Sequence, residues 1–396
     1  MGRGSRSKTI YMQVKTLVNR ARRYGMSKKD DSVEIRNISI YSTNTYDKVR
    51  TVGMSFASWL TEKRNTPVFR MVTVTAEDIS SYIEKRLGQY KNGEITASTL
   101  KADISCLRKI ENLVNHYYGK VSWDIPTERG ARREKWGVPK KIRGENTPQR
   151  GPAYTKRQAD RIVNEVEASY GRKVADALRF CRATGCRQES IADIGDKGVR
   201  ASRIDTKNGT VTLLEKGGKW RTVRYDPHYQ EFMERLTAQA ENKESPLFAG
   251  LFKDTNASGE RLEAEKMREE KKRASRHLNR VVKDAAKKEG MIGRGLHGFR
   301  KEFAVRRHAE YSKEVRSLVQ SKNRQVLSSE YGVGERKARD IIEGWAKAGR
   351  DDKERRRLAK EMDTIARLKL SKDLGHNRLD VTYDYVPRKK GIRPSN

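Results

Sequence analysis

Three short stretches of this sequence hold residue types suited to chemistry at phosphorus. They are Thr184-Gly185-Cys186-Arg187, His297-Gly298-Phe299-Arg300 and Leu374-Gly375-His376, the last followed by Tyr383-Asp384-Tyr385. Between the first two lies Lys216-Gly217-Gly218-Lys219. Displacement at a phosphodiester builds negative charge on the nonbridging oxygens, and fixed cations stabilise that charge. Guanidinium is planar, bidentate and permanently charged, which makes Arg187 and Arg300 the candidate donors. A departing sugar oxygen needs a proton, and Lys216 is the candidate acid. His297 and His376 can donate to phosphate or accept a phenolic proton. Tyr385 is the candidate nucleophile, forming a covalent phosphotyrosine. Only six histidines occur in the chain, and two of them fall in these motifs.

The charge balance points to the substrate class. The 396 residues include 87 Lys and Arg against 52 Asp and Glu, for a net charge of +35 and a pI near 10.1. Each cation that neutralises a phosphate releases a condensed counterion, so nucleic acid is the expected partner. An anionic membrane surface is the competitor, but the chain shows no basic amphipathic anchor, no lipidation signal and no apolar run of about eighteen residues. The start, Met1 to Lys8, lacks the apolar core of a secretion signal. Cys106, Cys181 and Cys186 have no metal-ligand spacing. A reduced cytoplasmic setting, close to the nucleoid, is expected, with no redox role for the cysteines.

The elements that must carry these residues are mainly helical. A basic leader, 1–37, contains a helical stripe of Val14, Leu17, Val18 and Ala21. It is either a DNA-touching arm or a leader packed on the next domain. Residues 38–122 read as a helical domain. Val49, Val52, Phe56, Trp59 and Leu60 form one stripe, a Thr75–Asp78 cap precedes Ile79, Tyr82 and Ile83, and Leu100, Ile104 and Leu107 begin another helix. Residues 123–153, rich in Pro, Gly and basic groups, read as an extended linker able to lie along a phosphate backbone. From 154 on, a Thr155–Gln158 capping box opens a helix, a second helix spans about 172–183, and Thr210–Leu214 with Trp220–Tyr225 make a hairpin around the two glycines. A charged helix covers 260–289, and the His297 motif starts another. Gly332-Val333-Gly334 resembles the turn of a helix-hairpin-helix element or a plain glycine break between helices. The expected class is therefore mainly α with a small β-sheet in the C-terminal domain.

Taken in order, the motifs resemble the tyrosine recombinase family, the phage integrases. That family is marked by a Thr-Gly-x-Arg box, a hairpin lysine, a His-x-x-Arg box and Leu-Gly-His followed by tyrosine. Its nucleophile commonly lies nine residues after that histidine; here 385 − 376 = 9, which selects Tyr385 over Tyr383. The resemblance implies Arg187 and Arg300 as a phosphate clamp, Lys216 as general acid with Lys219 as the alternative, His297 as acid/base or phosphate ligand, and His376 as a donor to phosphate. It also implies cleavage through a 3′-phosphotyrosine, without ATP, metal or other cofactor, because the bond energy is conserved in the intermediate. The implied partners are double-stranded DNA sites of inverted-repeat form, a dimer per site and a homo-tetramer for strand exchange, with accessory DNA-bending proteins possible. The helical and catalytic domains would grip the duplex from opposite sides.

Three departures from the family pattern stand out. Position 190, where an acid is common, holds Ser190, with Glu189 beside it. Arg300 and His376 are 76 residues apart (376 − 300), against about two dozen in the family, so a helical insertion near 308–370 is expected to fold outward. The tail, 386–396, is short and basic, which bears on whether it docks in a neighbouring protomer. The sequence keeps rival readings open: a type IB topoisomerase or telomere resolvase of the same chemistry, or a non-catalytic DNA-binding protein on the same scaffold. An RNA-binding protein rests on charge alone.

Overall fold

A computed structural model describes residues 9–24, 26, 28–67, 69–139, 153–193, 195–215, 218–251, 264–349, 351–376 and 378–387. The chain divides into two compact units, Met1–Thr147 and Pro148–Asn396. It is mainly α-helical with one three-stranded antiparallel sheet. Among the described residues no helix is long and apolar enough to cross a membrane.

The described residues of the first unit form α1 (Ile10–Arg20), α2 (Val33–Ile38), α3 (Thr43–Arg64), α4 (Ala76–Lys91), α5 (Ala97–Tyr117) and α6 (Arg129–Trp136). The Thr75–Asp78 capping box closes in both directions at the start of α4, satisfying two backbone donors. Val49, Phe56 and Leu60 of α3 meet Leu100, Ile104, Leu107 and Ile110 of α5 in one core. Each fully buried aliphatic side chain there contributes about 1.5–3 kcal/mol. Phe56 lies 5.2 Å from Tyr82 and 6.1 Å from both Trp59 and Trp123, so these rings pack on one another.

Two segments read as peripheral enter this core. Ile10, Val14, Leu17 and Val18 of α1 pack there against α3 and α5, so the basic leader is not a free arm from Ile10 onward. Trp123, Ile125, Trp136 and Val138 join them, and the Trp123 amide donates to buried Glu111 at 2.8 Å. The stretch read as linker from 123 is thus folded as far as Val138. Its apolar anchors are spaced among prolines and cations, which hid them from a compositional reading. The remainder, 140–152, lies outside the described residues.

The second unit contains α7 (Lys156–Tyr170), α8 (Arg172–Thr184), α9 (Gln188–Ala192), β1 (Ile204–Asp205), β2 (Thr210–Glu215), β3 (Lys219–Arg224), α10 (Gln230–Ala238), α11 (Ala264–Lys288), α12 (Gly295–Gln320), α13 (Arg324–Ser329), α14 (Glu335–Lys347), α15 (Asp352–Asp373) and α16 (Leu379–Tyr385). The strands run β1-β2-β3, and the β2–β3 register ends on the pair Glu215 and Lys219. Strand alternation turns Val211, Leu213 and Glu215 of β2 inward with Arg221 and Val223 of β3. The inner face packs in a core that includes Phe180, Leu278, Val281, Phe299 and Phe303.

The segment expected to fold outward does not. α12 continues unbroken to Gln320, α13 and α14 turn the chain, and α15 returns it. Tyr311, Val315, Val319, Leu327, Ile341, Met362, Ile365 and Leu370 belong to the same core as Phe299 and Phe303. Tyr311, Val315 and Val319 recur every four residues, a buried stripe masked by the surrounding charges. Gly332, at φ +64°, supplies the break between α13 and α14, with Val333 buried beside it. Replacing Ile341 by Ala is expected to lower the stability of this unit by about 2–5 kcal/mol. The denaturant midpoint reads the change, and a loss under about 0.5 kcal/mol would mean that the segment is peripheral after all.

Candidate active site

Each candidate side chain is delivered by a backbone feature that its motif specifies. α8 ends at Thr184, and Gly185 takes a left-handed conformation at φ +57°, its amide bonded to the Cys181 carbonyl at 2.9 Å. A Cβ at Gly185 would lie 2.3 Å from the Phe303 ring, so both the turn and the packing require glycine. The chain then leaves the helix with Arg187 at the N-cap of α9. His297 and Arg300 stand three residues apart at the start of α12 and so share a face. At the end of α15 the His376 amide bonds to the Ser371 carbonyl at 2.9 Å, and the Gly375 amide to Lys372 at 2.8 Å. This is a Schellman motif with Gly375 left-handed at φ +65°. Ser371 then exchanges two hydrogen bonds of 2.9 Å with the backbone of Arg378, fixing the turn that leads into α16.

These features bring five of the six candidates together. Arg300 Nε donates to Tyr385 Oη at 3.3 Å, and His376 Nε2 lies 3.3 Å from the same oxygen. Arg300 Nη2 lies 3.5 Å from His376 Nε2. The Tyr385 ring packs near the imidazoles of both His297 and His376, with centroids at 5.5 and 5.7 Å. Tyr385 is 8% exposed and Arg300 3%, whereas His297 faces solvent. Tyr383 lies instead against the Arg367 guanidinium, 4.4 Å from its ring centre. Lys216 lies outside the described residues, and Lys219 is exposed at the start of β3.

Arg187 joins the cluster through a residue that the motifs do not contain. Glu215, 2% exposed at the end of β2, accepts the Arg187 amide at 3.2 Å and also pairs with the Arg187 guanidinium. The same carboxylate accepts from Arg221 at 3.0 Å and lies 3.6 Å from Arg300. Arg221 donates to the carbonyls of Thr184, Gly185 and Asp373; Arg300 donates to those of Gly185 and Leu374. Glu215 therefore takes the buttressing place that Ser190 leaves open. The available signal was strand period: an acid and an arginine both on the buried face of a hairpin need each other, or a site, to justify their burial.

Positive charge outweighs negative charge in this cluster. Three guanidinium groups surround one carboxylate, leaving an excess of two positive charges. Burial, then the charge of Arg300, lowers Arg187 to about 10 and Arg221 to about 9, values that still leave both cationic at neutral pH. Burial, then Arg300 and Arg187, lowers His376 to about 4, so the ring is neutral at physiological pH. Because Arg300 can only donate, the neutral ring with its proton on Nδ1 suits the contacts at Nε2. In that tautomer Nε2 is an acceptor poised toward the Tyr385 hydroxyl. Donation to phosphate, the role that the family pattern implies, requires a proton at that nitrogen.

No family model matches the sequence, and no curated protein matches it. Solved structures do resemble it in three dimensions. A XerH site-specific recombinase in a post-cleavage complex with palindromic difH substrate aligns over 96% of this chain and 82% of its own, at 13% identity and a TM-score of 0.48. A Tn1549 transposon integrase bound to transposon right-end DNA aligns over 97% and 96%, at 12% identity and a TM-score of 0.46. A lambda integrase tetramer on a Holliday junction aligns over 75% and 70%, at 12% identity and a TM-score of 0.42.

The shifted histidine is directly measurable. By carbon-detected NMR the His376 ring of the DNA-free protein should titrate near pH 4. Arg187→Gln, by removing one cation, should raise that midpoint. The unfolded chain takes up this proton near pH 6.5 and the folded site refuses it. The ring therefore costs nothing above that pH and destabilises the fold progressively as pH falls from 6.5 toward 4. A wild-type midpoint near 6.5 would show that the arginine field does not reach the ring.

Proposed function

We propose that this protein is a tyrosine recombinase that cleaves and rejoins DNA strands at specific sites through a 3′-phosphotyrosine. The observation that carries the reading is the Tyr385 hydroxyl, 3.3 Å from both Arg300 Nε and His376 Nε2 and beside a surplus of buried cations. Tyr385 Oη attacks the scissile phosphorus, and the phosphorus–5′-oxygen bond breaks. His376 Nε2 takes the phenolic proton, and Lys216 protonates the departing 5′-oxygen. The 5′-hydroxyl of a partner strand then attacks the phosphotyrosine and gives its proton to Lys216; the phosphorus–tyrosine oxygen bond breaks, and His376 returns its proton to Tyr385. Attack of phenolate on a phosphodiester gives a doubly negative transition state, which matches the two-charge excess of Arg187, Arg221 and Arg300 over Glu215. Neutral His376 adds no further positive charge, and uptake of the phenolic proton compensates the charge that forms.

The overall charge of +35 supports duplex DNA as substrate. We further propose inverted-repeat sites bound by a dimer each, with two sites joined in a tetramer, because symmetric protein pairs demand symmetric half-sites. We also propose that the strand exchange serves a mobile element, a phage or a plasmid.

The test uses a nicked suicide duplex built on a site that the protein itself selects from a randomised library. Wild-type and Tyr383→Phe protein should form an adduct stable to denaturing detergent, and Tyr385→Phe none. An adduct with Tyr385→Phe would refute the nucleophile assignment. Relaxation of supercoils without site preference would favour a topoisomerase, and tight binding with no adduct a non-catalytic DNA-binding protein. Glu215→Gln should slow adduct formation roughly 100-fold while leaving DNA affinity nearly unchanged, since misplacing a reacting group by about 1 Å costs that much.

A further inference from the structure

The first arginine motif carries a second chemistry. Cys181, in the last turn of α8, and Cys186, immediately before Arg187, have sulfur atoms 3.5 Å apart. Both are free thiols, 1% and 3% exposed. We propose that they form a dithiol oxidised by hydroperoxides, and that the resulting disulfide disarms the turn carrying Arg187.

The chemistry balances without a metal. The Cys186 thiolate attacks one oxygen of the hydroperoxide; the O–O bond breaks, giving a sulfenic acid and one water or alcohol. The Cys181 sulfur attacks the sulfenic sulfur; the S–S bond forms, the S–O bond breaks, and water leaves with the Cys181 proton. Two electrons pass from the dithiol to the peroxide, and a thiol reductant reverses the change. The pair is asymmetric in the sense that this requires. Burial pushes the Cys186 thiol up, but the hydrogen bond from Cys181, with Thr184, Arg221 and Arg300 behind it, brings it below the ordinary range. Cys181, hydrogen-bonded to Cys186 and buried, is raised. Thiolate character is what makes a cysteine reactive.

The consequence follows from what the turn holds. A disulfide needs about 2.05 Å between sulfurs, so roughly 1.5 Å must be closed. Cys181 is fixed in the hydrogen bonding of α8, which leaves the Cys186 side to move. Its neighbours are the Thr184 and Gly185 carbonyls that anchor Arg221 and Arg300, and the Arg187 amide that anchors on Glu215. A shift of that size therefore reaches all three guanidinium groups.

The effect on catalysis rests on the DNA-cleavage reading; the oxidation does not, and the experiment separates them. The full-length protein is treated with hydrogen peroxide, alkylated and digested with trypsin. The expected product is Phe180-Cys181-Arg182 disulfide-linked to Ala183-Thr184-Gly185-Cys186-Arg187, absent from Cys181→Ala. Adduct formation on the suicide duplex should fall roughly 100-fold and return with dithiothreitol. Cys181→Ala should keep its basal rate and, with no second thiol to attack the Cys186 sulfenic acid, should give no linked peptide. If both thiols of the unfolded protein stay alkylatable after peroxide treatment, the sulfurs are only packing groups, and if the linked peptide forms while adduct formation is unchanged, the turn is not disarmed; either result overturns the proposal. Should the reduced wild type form no adduct, the cleavage reading fails, and the linked peptide still decides whether the dithiol oxidises.

Discussion

One buried carboxylate among three guanidinium groups is the constraint around which the second unit is arranged. Burying Glu215 alone would cost several kcal/mol, and burying Arg221 and Arg300 beside it, with Arg187 half-buried, would cost more. The cluster survives because nearly every donor finds an oxygen. Glu215 serves Arg187 and Arg221 and faces Arg300. Other donors of Arg221 and Arg300 reach the carbonyls of Thr184, Gly185, Asp373 and Leu374. Those carbonyls belong to the C-terminal ends of α8 and α15, where helix carbonyls lack intrahelical partners and the dipole is negative. Two helix ends thus supply the counter-field that a single acid cannot.

This explains why the chain travels 76 residues between Arg300 and His376 without losing the site. α15 must end beside the start of α12, because Arg300 and Arg221 need its last carbonyls. The return is secured along the way. Tyr311 donates to Asp373, Arg307 lies 3.8 Å from the same carboxylate, and His308 meets Asp363 at 2.9 Å. α13 and α14 lie on the route between these two fixed ends and bury Leu327, Ala338 and Ile341 in the same core as Phe299 and Phe303.

Much of this was legible in the sequence, and the limits have physical causes. Capping boxes at Thr75 and Thr155 and the hairpin at Gly217-Gly218 are local signals, and helices and strands begin at or beside them. Gly185 and Gly375 are local signals for the turns that deliver Arg187 and His376, and the spacing of three between His297 and Arg300 puts both on one face of α12. Glu215 and Arg221 were not legible in this way, since they act across elements and carry no local signature beyond strand alternation. Trp123 and Trp136 were hidden by the basic residues and prolines around them. The distance between Cys181 and Cys186 depends on the helix ending between them at Thr184, which spacing alone does not fix.

The position of the acid has a consequence of its own. Ser190 is buried, and its hydroxyl has no hydrogen-bond partner among the described residues. A carboxylate there in addition to Glu215 would reduce the cationic excess from two charges to one. The place of the acid on β2 matters as well. An acid on α9 would hold Arg187 within one short segment, whereas Glu215 ties that arginine to the strand leading into the hairpin. Any movement of β2 is therefore transmitted through Glu215 to the geometry of Arg187, so that the position of the strand and the aim of the guanidinium become one mechanical variable.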